Sequence, residues 1–597
     1  MDYSRLGLKC GIEIHQQLSG KKLFCSCPAK INDSEPDLLV KRKLHAVIGE
    51  TGTVDTAAAQ EEARNRSFIY QAYRDCTCLI ELDEEPPKPI NSDALHTALL
   101  VAKMLHAKPV DEIQVMRKTV IDGSNTTGFQ RTALVAMNGY IDISEGRISI
   151  PTISIEEEAA KIVDRKGDSD VYNLSRLGIP LIEIGTGPDL KTPEGVKEAC
   201  EKLGLILRST ERVMRGIGTI RQDVNVSIEG GARIEIKGAQ DLRMIPSLVE
   251  NEALRQKSLL DIRTGLKRYN IEDRIHDVTQ VFRDTQAKII KRSESVFATR
   301  LPGFNGFLGK ELIPGRRLGT EFSDYAKVAA GVGGIFHSDE LPNYGITEKE
   351  TEEVRRALKC RPDDAFVIVA DSKEKSAKAL EAVIRRAKMV FDGVPQEVRK
   401  ANPDGTSSFM RPIPGEARMY PETDVMPIRP RSDDIELPEL IEEKARRYSE
   451  NFKLSKDLAM SIARSGKGRM LELFINEFKA IKPAFIAETI FSIPISLKKE
   501  YGVEWDIRED HFETLFSHLN SGALPKESIV QAMADIIKGR FDISSYQADS
   551  SELEKDIREI IARNKDSSFA AIMGEVMKKY RGRISGKIVS EAIRKCI

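Results

Sequence analysis

The 597-residue chain has a single tryptophan, only eight cysteines and no long uninterrupted run of apolar residues. A membrane-spanning helix needs about 20 apolar residues in a row, so none is expected. There is no amino-terminal apolar leader of the kind that directs secretion. So few cysteines argue against a disulfide-stabilised secreted protein. We therefore expect a protein of the cytoplasm, where closely spaced cysteines are more often metal ligands or redox groups than disulfides.

The chain also lacks an excess of charge of either sign. Its 91 Lys and Arg residues almost balance its 92 Asp and Glu residues, and the formal net charge is -1. A polyanionic partner such as nucleic acid would therefore have to bind a local basic surface. The length is too great for one hydrophobic core and predicts several domains.

The pattern of apolar residues predicts a multidomain α+β protein. Short alternating strands dominate the first half, and an α+β segment interrupts them before a turn-rich return and a helical remainder. The predicted domains are 1–285 (β-rich), 286–402 (an α+β insertion), 403–432 (the return to the β-rich domain), 433–543 (helical) and 544–597 (a basic tail).

Three local signals predict particular elements. Thr192 before Pro193 has the character of a helix N-cap. Two alternating runs on either side of Glu229-Gly230-Gly231 predict a β-hairpin. The acidic run that begins at Glu156 follows a strand pattern and predicts the start of a helix.

Several predicted strands carry polar side chains on one face, because side chains alternate along a strand. Carboxylates with one imidazole suit Mg²⁺ or Mn²⁺ better than a thiophilic metal, and Mg²⁺ held by few carboxylates usually binds substrate phosphates too. A sheet with one solvated face shows the same alternation, so each strand alone also fits a structural role. The residues concerned are Glu13 and His15, Glu183, Asp223 and Asn225, and Glu235 and Lys237.

No conventional phosphate-binding loop accompanies these strands. The run GFNGFLGKEL, residues 303–312, has the wrong glycine spacing and carries Glu311 where a Ser or Thr would bind the metal. If the protein uses ATP, an unrelated fold must hold it.

Two Cys-x-Cys pairs, Cys25 and Cys27 with Cys76 and Cys78, are about fifty residues apart. Four thiolates can form a closed structural zinc site. The one-residue spacing differs from the usual two, and buried apolar thiols are an equally open interpretation.

Basic residues cluster around two glycines near the carboxyl terminus. Cations beside a flexible turn suit contacts to a phosphate backbone, although a solvated helix end has the same composition. The cluster contains Lys578, Lys579, Arg581, Arg583 and Lys587.

Six motifs in one order resemble the B and E subunits of the tRNA-dependent amidotransferases. They are GIEIHQQLSGKKLFCSCP, RKTVIDGSNTTGFQRTALVAMNG, ISIEEEAAK, YNLSRLGIPLIEIGTGPDL, IGTIRQDVNVSI and RIEIKGAQDL. The HQQL segment, the insertion and the length resemble the archaeal branch of the family more than the bacterial one. The resemblance implies a β-rich cradle, an insertion resembling that of bacterial aspartyl-tRNA synthetases, a helical domain and a tail.

The family resemblance also implies an activity. Glutamate misacylated on tRNA(Gln) would be phosphorylated at its γ-carboxylate by ATP with Mg²⁺, and ammonia would then displace the phosphate. An asparaginase-like glutaminase subunit would supply the ammonia, with this chain forming the homodimeric core of an α2β2 heterotetramer.

By the same resemblance, each candidate residue receives a role. Mg²⁺ would be held by His15, Glu156 and Glu183. Glu13 and Asp223 would assist a second, ATP-linked ion, and Arg221 and Asn225 would line the pocket. Lys118 and Arg117 would bind anions, and Glu235 would take a proton from ammonium. The family's second cysteine pair usually has two intervening residues, so the departure at Cys76-Thr77-Cys78 weakens the implication of Zn²⁺.

A second hypothesis is a non-catalytic tRNA-binding scaffold, in which the carboxylates have a structural role. The basic tail and the synthetase-like insertion would suit such a protein. ATP hydrolysis that depends on Glu-tRNA(Gln) distinguishes the two hypotheses, because a scaffold would show none.

Overall fold

The computed structural model describes residues 1–48, 52–62, 65–267, 269–413, 419–432, 434–546, 550–563, 568–580 and 586–596. These residues form two compact units, Met1–Leu437 and Pro438–Ile597. In the described residues, every strand belongs to the first unit and the second unit is helical. The predicted mixed α/β fold, with a β-rich amino-terminal part and a helical carboxyl-terminal part, is confirmed.

The first unit contains strands of 2 to 15 residues. They are β1 Lys9–Gln17, β2 Leu38–Arg42, β3 Ser67–Ala72, β4 Lys108–Pro109, β5 Val115–Thr119, β6 Phe129–Ile143, β7 Gly146–Glu157, β8 Lys161–Lys166, β9 Ser169–Asn173, β10 Pro180–Gly185, β11 Ile220–Ser227, β12 Ile234–Lys237, β13 His276–Asp277, β14 Ser295–Leu301, β15 Glu311–Ile313, β16 Arg316–Arg317, β17 Phe336–His337, β18 Ala365–Asp371, β19 Glu397–Ala401, β20 Ser407–Pro412 and β21 Met419–Pro421.

The α-helices divide between the two units. The first unit contains α1 Thr56–Glu62, α2 Ser92–Met104, α3 Pro193–Ser209, α4 Ile245–Gly265, α5 Lys288–Lys291, α6 Leu318–Ala330, α7 Glu348–Ala357 and α8 Lys373–Val390. The second contains α9 Ile441–Asn451, α10 Lys456–Ser465, α11 Gly468–Glu477, α12 Pro483–Tyr501, α13 Glu509–Asn520, α14 Ile529–Ile537, α15 Ser550–Arg563, α16 Phe569–Tyr580 and α17 Gly586–Cys596.

A large sheet organises the first unit, in the order β20-β19-β12-β11-β1-β10-β7-β6-β5-β21, with β4 paired to β6. The central strand β1 is antiparallel to both β10 and β11. Ile12 and Ile14 of β1 belong to a core shared with apolar residues of α2, α3 and α4. Because side chains alternate, Glu13 and His15 must lie on the opposite face of the sheet.

Two of the three local predictions are confirmed. The Thr192 hydroxyl accepts a hydrogen bond from the Gly195 amide at the start of α3. Strands β11 and β12 pair as the predicted hairpin. The helix expected at Glu156 is wrong: β7 continues to Glu157, since Glu156 lies between Thr132 of β6 and Leu181 of β10. Pairing on both sides of the strand overrides the helical preference of an acidic run.

A second sheet has the order β13-β14-β18-β17, and β14, β17 and β18 lie within the predicted insertion, whereas β13 precedes its predicted start at residue 286. Strand β18 is followed by the amphipathic helix α8, which agrees with the α+β character predicted for this segment. The chain rejoins the large sheet at β19, Glu397–Ala401, which runs parallel to β12.

In the second unit, α9 to α14 lie within the predicted helical domain and α15 to α17 within the predicted tail. Residues of α15, α16 and α17 share a small core of their own, which includes Ile557, Val576 and Ile593. Among the α-helices of the described residues, none has the length and apolar content that crossing a bilayer requires.

A buried network of charges connects α4 with α6, α8 and β19. The Glu321 carboxylate of α6 lies 3.0 Å from Arg255 Nη1 and 2.7 Å from Arg399 Nη2. Arg255 also pairs with Glu252, and Arg399 with Glu397. Burial raises the pKa of Glu321, but the arginines around it outweigh burial and hold that pKa far below its usual value. Each charge in this network is therefore tolerated only while its partners remain.

Replacing Glu321 by Gln should lower the free energy of unfolding of the first unit by about 3–5 kcal/mol, because it leaves buried arginines uncompensated. Urea denaturation followed by circular dichroism measures the change. The matched control is Asp273→Asn, since Asp273 forms an exposed pair with Lys388 and should cost less than about 1 kcal/mol. Equal losses in the two variants would contradict the expectation.

Candidate functional site

The open face of the large sheet concentrates charge from six strands. From β12 to β7 the neighbouring strands contribute carboxylates, and β5 contributes a cation. Register fixes the arrangement, since Glu13 lies opposite Asp223 and His15 lies opposite Glu183. Most of the site residues predicted from the sequence therefore meet on one surface.

The first group surrounds His15. Its Nε2 atom lies 3.9 Å from Glu156 Oε1 and 3.8 Å from Glu183 Oε2. Lys118 reaches the same carboxylates from β5, with its Nζ atom 2.8 Å from Glu156 Oε2 and 3.8 Å from Glu183 Oε2. Ligand atoms of Glu13, His15 and Glu183 all lie within 4.8 Å of one another. The group can therefore bind a cation.

Two carboxyl groups of this site differ in their proton affinity. Burial raises the pKa of Glu183, and the negative charge of Glu156 raises it further, so it lies well above its usual value. Burial also raises the pKa of Glu156, but Lys118 and His15 outweigh it and bring the pKa below its usual value. Lys118 thus compensates one carboxylate more than the other. Repulsion between the Glu156 and Glu183 carboxylates remains, and a bound divalent cation would reduce it.

The second group lies beside the first and shares Glu13 with it. Ligand atoms of Glu13, Asp223 and Glu235 lie within 4.8 Å of one another. Lys237 Nζ lies 2.7 Å from Asp223 Oδ2 and 2.5 Å from Glu235 Oε1. Burial lowers the pKa of Lys237, but Asp223, Glu235 and Glu13 raise it more, and the net shift is upward. Lys237 is therefore a firmly charged counterion at this position.

The other predicted pocket residues differ in whether their side chains already have partners among the described residues. The buried Oδ1 atom of Asn225 has no hydrogen-bond partner among the described residues. Arg221 is held by Glu158, with Nη2 2.8 Å from Oε2. Arg117 pairs with Glu422 and lies over the ring of Phe129. The alternation of β5 places Arg117 and Lys118 on opposite faces of the strand, so of the two only Lys118 reaches the carboxylates of the acidic site.

Glu158 was not among the predicted site residues, yet it holds Arg221 in place. It accepts a hydrogen bond from Gln17 Nε2 at 3.0 Å as well as the ion pair from Arg221. Interpreting the ISIEEEAAK run as a helix start hides the separate positions of its three glutamates. If the run is interpreted as a continuation of the strand, the consecutive residues Glu156 and Glu157 lie on opposite faces of the sheet.

The thiols form a separate group. Ligand atoms of Cys25, Cys27, Cys78 and Glu81 lie within 4.8 Å of one another. The Cys25 thiol lies 2.9 Å from Glu81 Oε1, and the Cys78 amide donates to Glu81 Oε2 at 2.7 Å. A hydrogen bond from Cys25 lowers the pKa of Cys78 to about 7, although burial opposes this. Three sulfurs and one carboxylate form an acceptable tetrahedral donor set for zinc.

Cys76 is not part of this group, in contrast to the predicted set of four cysteines. It is fully buried, and burial followed by a hydrogen bond with Asp75 raises its pKa to about 11. Glu81 takes the fourth position instead, three residues after Cys78 in CTCLIE. The one-residue spacing does not predict this difference, because Cys25 and Cys27 have the same spacing and both belong to the group.

The predicted basic tail is described in part. Lys578 and Lys579 are exposed at the end of α16, and Lys579 Nζ lies 2.5 Å from Asp556 Oδ2. Arg581 and Arg583 lie outside the described residues, and so does the side chain of Lys587.

The acidic residues fit a hard divalent cation on the chemistry of their donors. Each group offers carboxylate oxygens, one group adds an imidazole, and the Asn225 oxygen, unpartnered among the described residues, is a further ligand of the kind Mg²⁺ and Mn²⁺ accept. The fold and this site define a class of protein: a multidomain protein with an acidic site on the open face of a mainly antiparallel sheet.

Comparison with known proteins identifies the family. The model of the GatB/GatE catalytic domain matches residues 8–436, and that of the GatB domain matches residues 479–597. The E subunit of the glutamyl-tRNA(Gln) amidotransferase of Methanocaldococcus jannaschii is 46% identical over 624 aligned residues, covering 100% of this chain and 99% of the relative. The proteins of that name from Methanosarcina acetivorans and Archaeoglobus fulgidus are each 46% identical, covering 100% of this chain and 98% and 99% of their own lengths. The chain belongs to the GatB/GatE family, and the membership predicted from its motifs is confirmed.

Replacing Glu13 by Gln should weaken Mn²⁺ binding at both acidic groups, by roughly tenfold or more, because the number of charged ligands sets affinity for divalent ions. Electron paramagnetic resonance of free Mn²⁺ measures the stoichiometry and affinity. Glu235→Gln should weaken mainly the ion of the second group, because Glu235 belongs to that group alone. Glu201→Gln, on the exposed surface of α3, is the control and should change neither. If Glu13→Gln leaves the Mn²⁺ titration unchanged, Glu13 is not a ligand of either ion.

Proposed function

We propose that this chain carries out the ATP-dependent transamidation of Glu-tRNA(Gln) to Gln-tRNA(Gln). The observation that carries the proposal is the pair of acidic groups that share Glu13 beside Lys118 and Lys237. The names of the relatives point to the same activity. In the first step a γ-carboxylate oxygen of the tRNA-bound glutamate attacks the γ-phosphorus of ATP, and ADP leaves. In the second, ammonia attacks the acyl carbon and phosphate leaves.

Each residue has a defined task in these steps. His15, Glu183 and Glu156 would hold one Mg²⁺, and Glu13 with Asp223 would hold the second. When bound, these ions would supply the positive charge that offsets the phosphates and the acceptor carboxylate. Lys118 adds a positive charge at the carboxylates it already contacts.

The remaining pocket residues act on ATP and on ammonia. Asn225 and Arg221 line the ATP side of the pocket. Glu235 accepts the proton of ammonium, which makes ammonia nucleophilic, and its Oε1 atom lies 2.5 Å from Lys237 Nζ.

The family resemblance supports a wider assembly for the proposed reaction. Ammonia comes from an asparaginase-like glutaminase subunit, and two copies of this chain form the centre of an α2β2 heterotetramer in the cytoplasm. The insertion corresponds to that of the bacterial aspartyl-tRNA synthetases. The basic cluster Lys578, Lys579, Arg581, Arg583 and Lys587 contacts the tRNA backbone.

Zn²⁺ at Cys25, Cys27, Cys78 and Glu81 has a structural role in this proposal. The group joins the segment after β1 to the loop before α2, because its members come from both. Four protein ligands leave no open position, as is typical of structural zinc sites.

Removal of single ligands tests the thiol site. Co²⁺ added to chelator-treated protein should give the intense absorption of a tetrahedral thiolate complex, and Cys78→Ser should lose about a third of the sulfur-to-metal band, since one of three thiolates is removed. Cys76→Ser is the matched control and should keep the full spectrum, because Cys76 lies outside the group. If Cys76→Ser lowers the sulfur-to-metal band more than Cys78→Ser does, the predicted site of four cysteines is correct and the site with Glu81 is wrong.

Activity tests the reaction itself. With the glutaminase subunit, ATP, Mg²⁺, glutamine and Glu-tRNA(Gln), the chain should form Gln-tRNA(Gln). Glu183→Ala should reduce tRNA-dependent phosphate release by roughly 100- to 1,000-fold, because it removes charge stabilisation at the reacting groups, and should leave tRNA affinity unchanged.

Two outcomes contradict the proposal. A wild-type protein that binds tRNA but releases no phosphate would be the non-catalytic scaffold. Loss of tRNA binding together with phosphate release in Glu183→Ala would make Glu183 a structural residue. Glu201→Ala controls for loss of a carboxylate as such.

A further inference from the structure

A second pocket lies far along the chain from the acidic site, between α6, α8 and the edge strand β20. Its volume is about 370 Å³, within the range of about 300–1,000 Å³ that is usual for small-molecule sites. The walls are mainly apolar and include Tyr325, Met389 and Phe409. The rings of Tyr325 and Phe409 stack with their centroids 3.7 Å apart, which gives the pocket a flat aromatic wall.

The charged side chains of this pocket are all positive. Lys378 and Arg385 line it from positions about two turns apart on α8, and no acidic side chain of the described residues lines it. Both cations are exposed. Neither forms a hydrogen bond or an ion pair with any residue that the structure describes, so their charges are available to a ligand.

A third cation lies behind the aromatic wall. Arg386 is fully buried, and its guanidinium carbon lies 5.5 Å from the centre of the Tyr325 ring. None of its three side-chain nitrogens has a hydrogen-bond partner among the described residues, and Glu321 Oε2 is 3.7 Å away. The buried network behind the wall balances this charge, because Glu252, Glu321 and Glu397 lie among Arg255, Arg386 and Arg399. The positive charge that favours an anion is therefore that of Lys378 and Arg385 at the mouth of the pocket.

We propose that this pocket binds an aromatic organic anion. The ring of the ligand lies against Tyr325 and Phe409, and its carboxylate, phosphate or sulfonate group lies near Lys378 and Arg385. A neutral ligand would leave the two cations without partners, and a small inorganic anion would leave the apolar walls exposed. The site is independent of the proposed transamidation, because it contains none of the residues assigned to that reaction.

The fluorescent anion 8-anilinonaphthalene-1-sulfonate is a suitable probe, because its emission rises in apolar surroundings. Titration of the full chain should show one saturable site per chain. The double variant Lys378→Glu with Arg385→Glu should bind at least about tenfold more weakly, because it removes charge-assisted contacts to the sulfonate. N-phenyl-1-naphthylamine, the neutral analogue, should bind the wild type more weakly and respond little to the double variant.

Two further variants locate the probe. Ala329→Trp at the half-buried pocket wall should block binding, with urea denaturation used to verify the fold. Lys373→Glu, an exposed cation of α8 outside the pocket lining, should bind like the wild type. The proposal is overturned if the wild type shows no saturable binding, if charge reversal leaves the affinity unchanged, or if the neutral probe binds as tightly as the anion. If Ala329→Trp does not fold, the charge-reversal and neutral-probe results decide.

Discussion

Repulsion between carboxylates on one face of the large sheet is the constraint on which the acidic site depends. The alternation of β1 directs Glu13 and His15 away from the core, and the register of β10 and β11 brings Glu183 and Asp223 to their sides. Two lysines at opposite ends of this row, Lys118 and Lys237, compensate the outer carboxylates. The central carboxylates keep the least compensation, which makes the centre the strongest position for an added cation.

A second carboxylate network in the same unit is stabilised differently. Glu321 is buried among arginines, whose planar, permanently charged groups form several fixed contacts with it. The acidic site uses lysines instead, and it is partly open to solvent, with 18% of the Glu183 side chain exposed. A lysine is a mobile point charge that can move aside when another cation arrives. The arginines around Glu321 are therefore permanent partners that stabilise the fold. The lysines of the acidic site are partners that a bound cation can replace.

Local periodicity predicted much of the fold and of the site, because both depend on alternation along strands. The faces of β1, β10, β11 and β12 follow from their own residues. The end of β7 does not, since Glu156 remains in a strand only because β6 and β10 pair with it. The exchange of Cys76 for Glu81 likewise depends on how a loop folds, and no spacing rule contains that information. Nor could the chain alone indicate that Glu158 holds Arg221, because the two are more than sixty residues apart.

Glu13 belongs to both acidic groups, and this couples the binding of cations at the two groups. Its carboxylate has two oxygens, and it lies within 4.8 Å of the ligand atoms of both groups. One carboxylate can bridge two cations, but its single negative charge is then divided between them. Binding at one group must therefore alter binding at the other, and by linkage the effect is equal in both directions. An anion such as a phosphate supplies negative charge that Glu13 alone lacks, so the pair of groups is better matched to two cations with an anionic substrate than to two cations alone.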